Sequence, residues 1–194
     1  MEMNKQEIRK VVLQARDGLS RIERERGNIL LTERILGHQW FYTSRTLLCF
    51  VSFGSEIDTS EILQKAFRRE KRVYVPKVIQ GTQVPEMRFY RIASLEELQK
   101  GYRGIREPEG ISEEYRYGGN FETEEADSVL MLMPGVAFDR FRGRLGYGRG
   151  FYDRFLQDKP QLQQRTIGVG YRCQLVEKLP VSEYDVKPYQ VICV

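Results

Sequence analysis

Histidine is nearly missing: His38 is the one copy in 194 residues. A histidine-rich metal centre is therefore excluded, and a Ser-His-Asp relay would have a single residue to run through. His38 sits beside Trp40 and Phe41 at the end of an apparent helix, a setting that reads as structural. Cysteine is scarce as well. Cys49, Cys173 and Cys193 are odd in number, far apart and form no C-x-x-C pair, which argues against a zinc ribbon or a dithiol redox centre and predicts reduced thiols. Any divalent ion must then be held by oxygen ligands, which suits magnesium rather than zinc. No apolar run approaches the roughly 20 residues of a membrane-spanning helix. The opening MEMNKQEIRKVV is charged where a secretory signal carries an apolar stretch. The expectation is a cytoplasmic protein without a membrane partner.

What is present is the composition of a folded chain, with 41% hydrophobic and 30% charged residues, enough for one substantial core and a single domain over 1–194. The net charge of +4 hides a division: residues 107–127 carry eight acids against Arg116 alone, or −7, which leaves +11 on the rest. An anionic partner fits that excess, as does a solvated basic surface. Arginine supplies 22 of the 31 basic residues, and its planar fork suits phosphate and carboxylate. An RNA-binding module would use the same arginines and tyrosines, but no RNP-type or other single-strand-binding signature is present, so a nucleic-acid partner is not expected.

Apolar Ile8, Val11, Val12 and Ala15 recur at three- and four-residue spacing, which predicts an amphipathic helix over 4–17 with Lys5, Arg9, Lys10 and Arg16 on its other faces. Ser20 with Glu23 is a capping box, opening a second helix carried by Ile22, Ile29, Leu30, Ile35 and Leu36 and ended by Gly37. TLLCFV at 46–51 reads as a strand buried on both faces, followed by a helix capped by Asp58 or Thr59 and the strand VYVP at 73–76. That strand, helix, strand order predicts parallel pairing with a right-handed crossover. MRFYRI at 87–92 alternates like a further strand, and Ser94 with Glu97 opens a short helix. Residues 101–127 show no clear periodicity and read as a long loop facing solvent or the site. SVLMLMP at 128–134 is the strongest strand, a helix is expected from about Gly148–Tyr152 through Leu156, and RTIGVGY and YQVICV supply two more strands.

Between the strong strand and that last helix lies PGVAFDRFRGRLGYGRGFYDRFL, with Gly143, Gly146, Gly148 and Gly150 within eight residues. In open α/β sheets, ligands bind outside the carboxyl ends of strands. Glycines let backbone amides approach phosphate oxygens, the helix start favours negative charge, and Arg144 and Arg149 add charge-assisted donors. The loop is not a Walker A motif, because Arg149 and Gly150 stand where Lys and Ser or Thr are required. It is not a dinucleotide fingerprint either, because Phe151 replaces the third glycine. Asp153, in the first turn of the helix, suits either the helix dipole or a magnesium ion held against phosphates. Asp139 and Asp185 are further candidates, Asp139 also fitting a local turn role. Glu56 lies between a buried strand and a capped helix on the same sheet edge, where a ligand-facing acid belongs. Phe53, Phe89, Tyr90, Tyr147, Phe151 and Tyr152 could stack on a flat heterocycle or pack as core and rim.

The stretch from Pro134 to Leu156 resembles the 5-formyltetrahydrofolate cyclo-ligase family, whose hallmark is Pro-Gly-x-x-Phe-Asp followed by Arg-Leu-Gly-x-Gly-x-Gly-Tyr-Tyr-Asp. The likeness extends to Lys5 and Arg9, SFGSEIDT around Glu56, VYVPKV, MRFYRI, GIREPEG and LPVSEYDVKPYQVI. Phe151 stands where the family usually has Tyr, and Arg149 where Lys or Gly is common. The resemblance implies an α/β fold, a three-layer sandwich with a central mostly parallel sheet, similar to the sugar-phosphate isomerase and CoA transferase type. It implies ATP- and magnesium-dependent conversion of 5-formyltetrahydrofolate to 5,10-methenyltetrahydrofolate, with release of ADP and phosphate. By the same resemblance ATP would be held by Lys5, Arg9, Arg144, Leu145, Gly146, Tyr147, Gly148, Arg149, Gly150, Phe151 and Tyr152. Arg144 and Arg149 would act on the transferred phosphoryl group, and Asp153 and Asp185 would serve magnesium. Val51 and Glu56 would contact the folate, with Met87 and Phe89 lining the pterin pocket. Competing readings are an isomerase of the same architecture that grips a substrate phosphate, and a catalytically silent relative.

Overall fold

The computed structural model describes residues 3–81, 84–109, 112–117, 128–180 and 182–194. Two capped helices begin the chain. Asn4 accepts from the Gln6 and Glu7 amides while Glu7 returns a bond to the Asn4 amide, so α1 runs Lys5–Asp17. Ser20 and Glu23 form the same reciprocal box at the start of α2, Arg21–Leu36. His38 then caps the short α3, Gln39–Thr43, through the Trp40 amide, and its other ring nitrogen meets Gln190, so its role is structural.

Strand β1, Thr46–Cys49, is buried at every position. Helix α4, Ser60–Arg68, follows it; Asp58 accepts from the Ser60 amide, whereas the Thr59 hydroxyl turns inward to the Phe50 carbonyl. Strands β2, Arg72–Ile79, and β3, Glu86–Ile92, come next, then the short β4, Leu98–Lys100, and β5, Arg106–Pro108. The core strand β6, Val129–Met133, leads into β7, Ala137–Asp139, and β8, Arg144–Leu145. Helices α5, Phe151–Leu156, and α6, Pro160–Gln163, precede β9, Thr166–Gly170, β10, Leu175–Val176, and β11, Gln190–Cys193.

Six strands form the central sheet in the order β11-β9-β6-β1-β2-β3, parallel except for β3 at the edge. Period-two alternation sends Leu47, Cys49, Leu130 and Leu132 into one core layer, with Leu31, Ile35, Ile62 and Leu63 of α2 and α4. Leu48, Val129, Met131 and Met133 point into the other, with Leu156 of α5 and Leu162 of α6. Burial on both faces is why these strands read as unbroken apolar runs. A third cluster seats α1 through Ile8 and Val12 on Val136, Ala137 and Leu145. Among the described residues no helix is long and apolar enough to cross a membrane, and the three cysteines are unpaired.

Four expectations need correction. On α2 the buried face is Gly27, Leu31 and Ile35, while Ile22, Ile29 and Leu30 are exposed. A side chain at Gly27 would collide with the Tyr171 ring, so a glycine with no hydrophobic signal marks the packed face. Part of the 101–127 loop is ordered: β4 and β5 pair as a ribbon, Glu114 bridges Tyr90, and residues 110, 111 and 118–127 lie outside the described set. The stretch after β6 is not one glycine loop, because β7 and β8 form a hairpin and β10 joins β7 in a small second sheet. Asp139 organises that hairpin and is no ligand candidate: its carboxylate accepts from the amides of Phe141, Gly143 and Leu179. Asp139→Ala orphans these amides, two of them in buried bonds, and should lower stability by about 2–4 kcal/mol in urea unfolding; a loss below about 0.5 kcal/mol would contradict this role.

Candidate active site

Connections leave β1 and β6 in opposite directions, β1 toward β2 and β6 toward β9, so a crevice opens between their carboxyl ends. Here the chain encloses a cavity of about 470 Å³. Val51, Phe53 and Glu56 reach it from the segment after β1, and Pro134 and residues 144–153 from the segment after β6. Lys5 and Arg9 enter from α1, and Asp185 from the segment before β11. The expected ATP, folate and magnesium residues thus meet in one place, with one exception. Phe89 is wholly buried, packed at 6.4 Å from the Tyr152 ring and 4.8 Å from Phe155, so it backs the wall and does not line it. Its neighbour on the same strand face, Met87, does line the cavity.

Arg144 is held most tightly. Its side chain is 4% exposed, Nη2 donates to Asp153 Oδ1 at 2.8 Å, and the guanidinium carbon sits 5.4 Å from the Tyr152 ring centroid. Its buried Nε has no hydrogen-bond partner. Asp153 Oδ1 also accepts from the Val186 amide. Arg9 Nε donates to the Gly146 carbonyl at 2.8 Å, and its guanidinium lies against Gly148. Gly148 and Gly150 adopt φ of +92° and +62°, which a side chain would strain, and Gly150 turns the chain into α5. The Arg149 carbonyl accepts from Arg154 Nη1 at 2.8 Å, while its exposed side chain has no hydrogen bond or ion pair among the described residues.

Lys5 Nζ meets Asp185 Oδ2 at 2.5 Å, and Ser182 donates to the same oxygen from its amide and hydroxyl. Burial pushes the Asp185 carboxyl up, but Lys5 and Ser182 together hold it below the usual range. Glu56 stands across the cavity: Tyr147 donates its hydroxyl to Oε1 at 2.8 Å and the Phe53 amide donates to Oε2 at 3.0 Å. Burial raises the Glu56 carboxyl, opposed by these bonds and by Arg16. Burial likewise holds the Tyr152 hydroxyl well above its ordinary value.

Several lining residues escaped the sequence reading. Tyr102, Arg103, Ile105 and Glu107 come from the β4–β5 ribbon, and Pro76 and Val78 from β2. Glu107 accepts from the Val78 and Tyr102 amides and fastens the ribbon to β2. It lay within an acidic stretch with no period to single it out. Lys5, Arg9, Arg103, Arg144 and Arg149 are five cations against Glu56, Glu107, Asp153 and Asp185. Two of the acids are spent on Arg144 and Lys5 and a third on backbone amides, which leaves Arg9, Arg103 and Arg149 to face an anion. Among the described residues no cluster of three metal-ligating side chains exists. Asp153 and Asp185 each keep one carboxylate oxygen without a hydrogen bond there. That donor set fits magnesium shared with phosphate oxygens and not a closed protein cage.

A parallel α/β sheet with a cationic, glycine-turned cavity at its switch point defines an enzyme architecture that handles anionic small molecules. A family model described as the 5-formyltetrahydrofolate cyclo-ligase family matches residues 1–194. A probable 5-formyltetrahydrofolate cyclo-ligase of Caenorhabditis elegans is 33% identical over 193 residues, covering 97% of this chain and 91% of the relative. The 5-formyltetrahydrofolate cyclo-ligase of Escherichia coli K12 is 34% identical over 143 residues, 74% of each chain. The NMR structure of Aquifex aeolicus 5,10-methenyltetrahydrofolate synthetase matches with a TM-score of 0.76 at 30% identity, over 96% of this chain and 87% of that one. The chain belongs to the 5-formyltetrahydrofolate cyclo-ligase family and is an enzyme of that family.

Because the folded Asp185 carboxyl is lowered, the Lys5 pair stabilises fully above the unfolded value of about 3.9 and is lost as pH falls through the folded one. The stability difference between wild type and Asp185→Asn should stay constant near neutrality and shrink below about pH 4, measured by urea unfolding across pH. A difference that persists undiminished to about pH 2 would contradict the pairing.

Proposed function

We propose that the chain catalyses the ATP- and magnesium-dependent cyclisation of 5-formyltetrahydrofolate to 5,10-methenyltetrahydrofolate, releasing ADP and phosphate. The observation that carries this reading is one cavity lined by two kinds of group. Its lining joins a cationic glycine turn with Lys5, Arg9, Arg144 and Arg149 to Val51, Met87 and the acid Glu56, which Tyr147 of the turn meets at 2.8 Å. A triphosphate suits the first kind and a flat ring with N–H donors suits the second.

The formyl group is amide-like, and its oxygen leaves only after phosphorylation. Transfer of the γ-phosphoryl group to that oxygen expels ADP; the neighbouring folate nitrogen then attacks the formyl carbon, loses its proton and expels phosphate as the ring closes. No protein nucleophile is required. The chain's task is to hold the γ-phosphorus in line with the formyl oxygen and to stabilise the charge spread over the transferred group. Arg144 suits that task because Asp153 fixes its fork before substrate arrives, so little reorganisation is needed. Arg149, unpaired and exposed, is free to swing onto the phosphates. The backbone amides at 146–150 and the start of α5 take the remaining oxygens. Asp153 and Asp185 would offer their spare oxygens to magnesium, which neutralises phosphate charge when bound. Val51 and Met87 pack on the pterin, and Glu56 accepts hydrogen bonds from its N–H groups.

Purified protein mixed with magnesium, ATP and 5-formyltetrahydrofolate should generate the ultraviolet absorbance of the methenyl product. Arg144→Lys and Asp153→Asn should each lower kcat by about 10²-fold or more, since each breaks the preorganised fork. Glu56→Gln should raise KM for the folate by about tenfold with KM for ATP unchanged. No absorbance change with the wild-type protein would end the reading, and full rates in the variants would end the residue assignment.

A further inference from the structure

Arg16, seven residues beyond Arg9 on α1, does not line the cavity and has no part in phosphate binding, yet it is 4% exposed. A guanidinium is rarely buried without a carboxylate partner. Arg16 has no ion pair among the described residues: Nε donates to the Ser55 hydroxyl at 2.9 Å, and Nη1 is buried with no hydrogen bond at all. Its guanidinium carbon stands 5.8 Å from the centroid of the Tyr147 ring, whose hydroxyl donates to Glu56. We propose that Arg16 is a positioning residue for the reaction, its charge behind Tyr147, linked to Asp17 only through the Ser55 hydroxyl, keeping Glu56 an ionised acceptor turned toward the reduced pterin. This rests on the folate reading of Glu56 given above.

The surroundings single out Arg16. Glu56 is faced by Arg16 from α1, by Tyr147 from the glycine turn and by Tyr152 from α5. The other cations near these elements hold other partners: Lys5 meets Asp185, Arg9 donates to the Gly146 carbonyl and Arg144 pairs with Asp153. Burial alone would favour a protonated Glu56, which would present a donor where the pterin N–H groups need an acceptor. A nearby cation opposes that, and Arg16 lowers the Glu56 carboxyl in this way. Ser55 in turn donates to Asp17, which anchors the Ser55 hydroxyl that receives Arg16.

The test compares Arg16→Met and Arg16→Lys with wild type. For Arg16→Met, KM for 5-formyltetrahydrofolate should rise about tenfold, KM for ATP should hold, and the loss in kcat/KM should be about tenfold deeper near pH 6 than near pH 8. Arg16→Lys, which restores the charge but not the fork, should recover most of that loss. Equal losses at every pH, a matching rise in KM for ATP, or no rescue by lysine would overturn the proposal. Carboxyl carbon NMR on the ligand-free protein gives an independent reading. The Glu56 titration should move upward in Arg16→Met and stay near wild type in Arg16→Lys; an unmoved titration would also overturn the proposal. Because that measurement needs no turnover, a wild-type protein that fails to cyclise folate sinks the functional reading while the NMR comparison still decides what Arg16 does to Glu56.

Discussion

The contact on which the rest of the site depends is the buried pair between Arg144 on β8 and Asp153 in the first turn of α5. Taking both charges out of water is costly, and such pairs add little net stability over an apolar substitute, yet losing one partner costs about 3–5 kcal/mol. The pair is better understood through what it holds in place. It ties the β7–β8 hairpin to the helix that the glycine turn enters, and through the Val186 amide it reaches the segment carrying Asp185. The turn from Gly146 to Gly150 is therefore pinned at both ends before any ligand arrives. The positive φ at Gly148 and Gly150 supplies the bend that the pinning requires.

The same economy of charge runs around the cavity. Lys5 and Asp185 join the start of α1 to the segment before β11, Arg9 grips the glycine turn by a carbonyl, and Glu107 caps two amides where the ribbon meets β2. Each is a contact between elements far apart in the chain, and each uses a polar group that burial would otherwise penalise. What remains uncommitted is mostly cationic on one side and one acid, Glu56, on the other. A cavity built this way sorts its ligands by charge and by hydrogen-bond direction at once. The cavity's position follows from topology, since the connections from β1 and β6 diverge.

Much of this was legible from local pattern. Capping boxes at Ser20 and Ser94 act within three residues, so their chemistry is written in adjacent letters; the same box at Asn4 was not read. Strands β1, β6 and β9 are buried on both faces, and their apolar runs announce it. The glycine spacing and Arg144 drew attention to a stretch that lines the cavity, and Glu56 and Asp185 were picked out beside it, while Met87 came only from the family resemblance. The misreadings share a cause. Ile22, Ile29 and Leu30 looked like the packed face of α2, but that face is chosen by the Tyr171 ring pressing on Gly27, 144 residues away in the chain. Phe89 alternates like Met87, but Tyr152 and Phe155 cover it. The ribbon residues Tyr102, Arg103 and Glu107 have no periodicity because their structure comes from docking on β2.

Composition and short-range pattern were thus enough to decide the class of fold, the strands of its core, the cap of its second helix and a stretch that lines the cavity, because these depend on periodicity and on hydrogen bonds between near neighbours. Which charges are paired, which stay free, and how Arg16 comes to stand behind Glu56 were settled only by the folded chain. Those properties depend on burial and on distances between groups brought together from remote parts of the sequence, and Coulomb energies and desolvation act through space without regard to order along the chain.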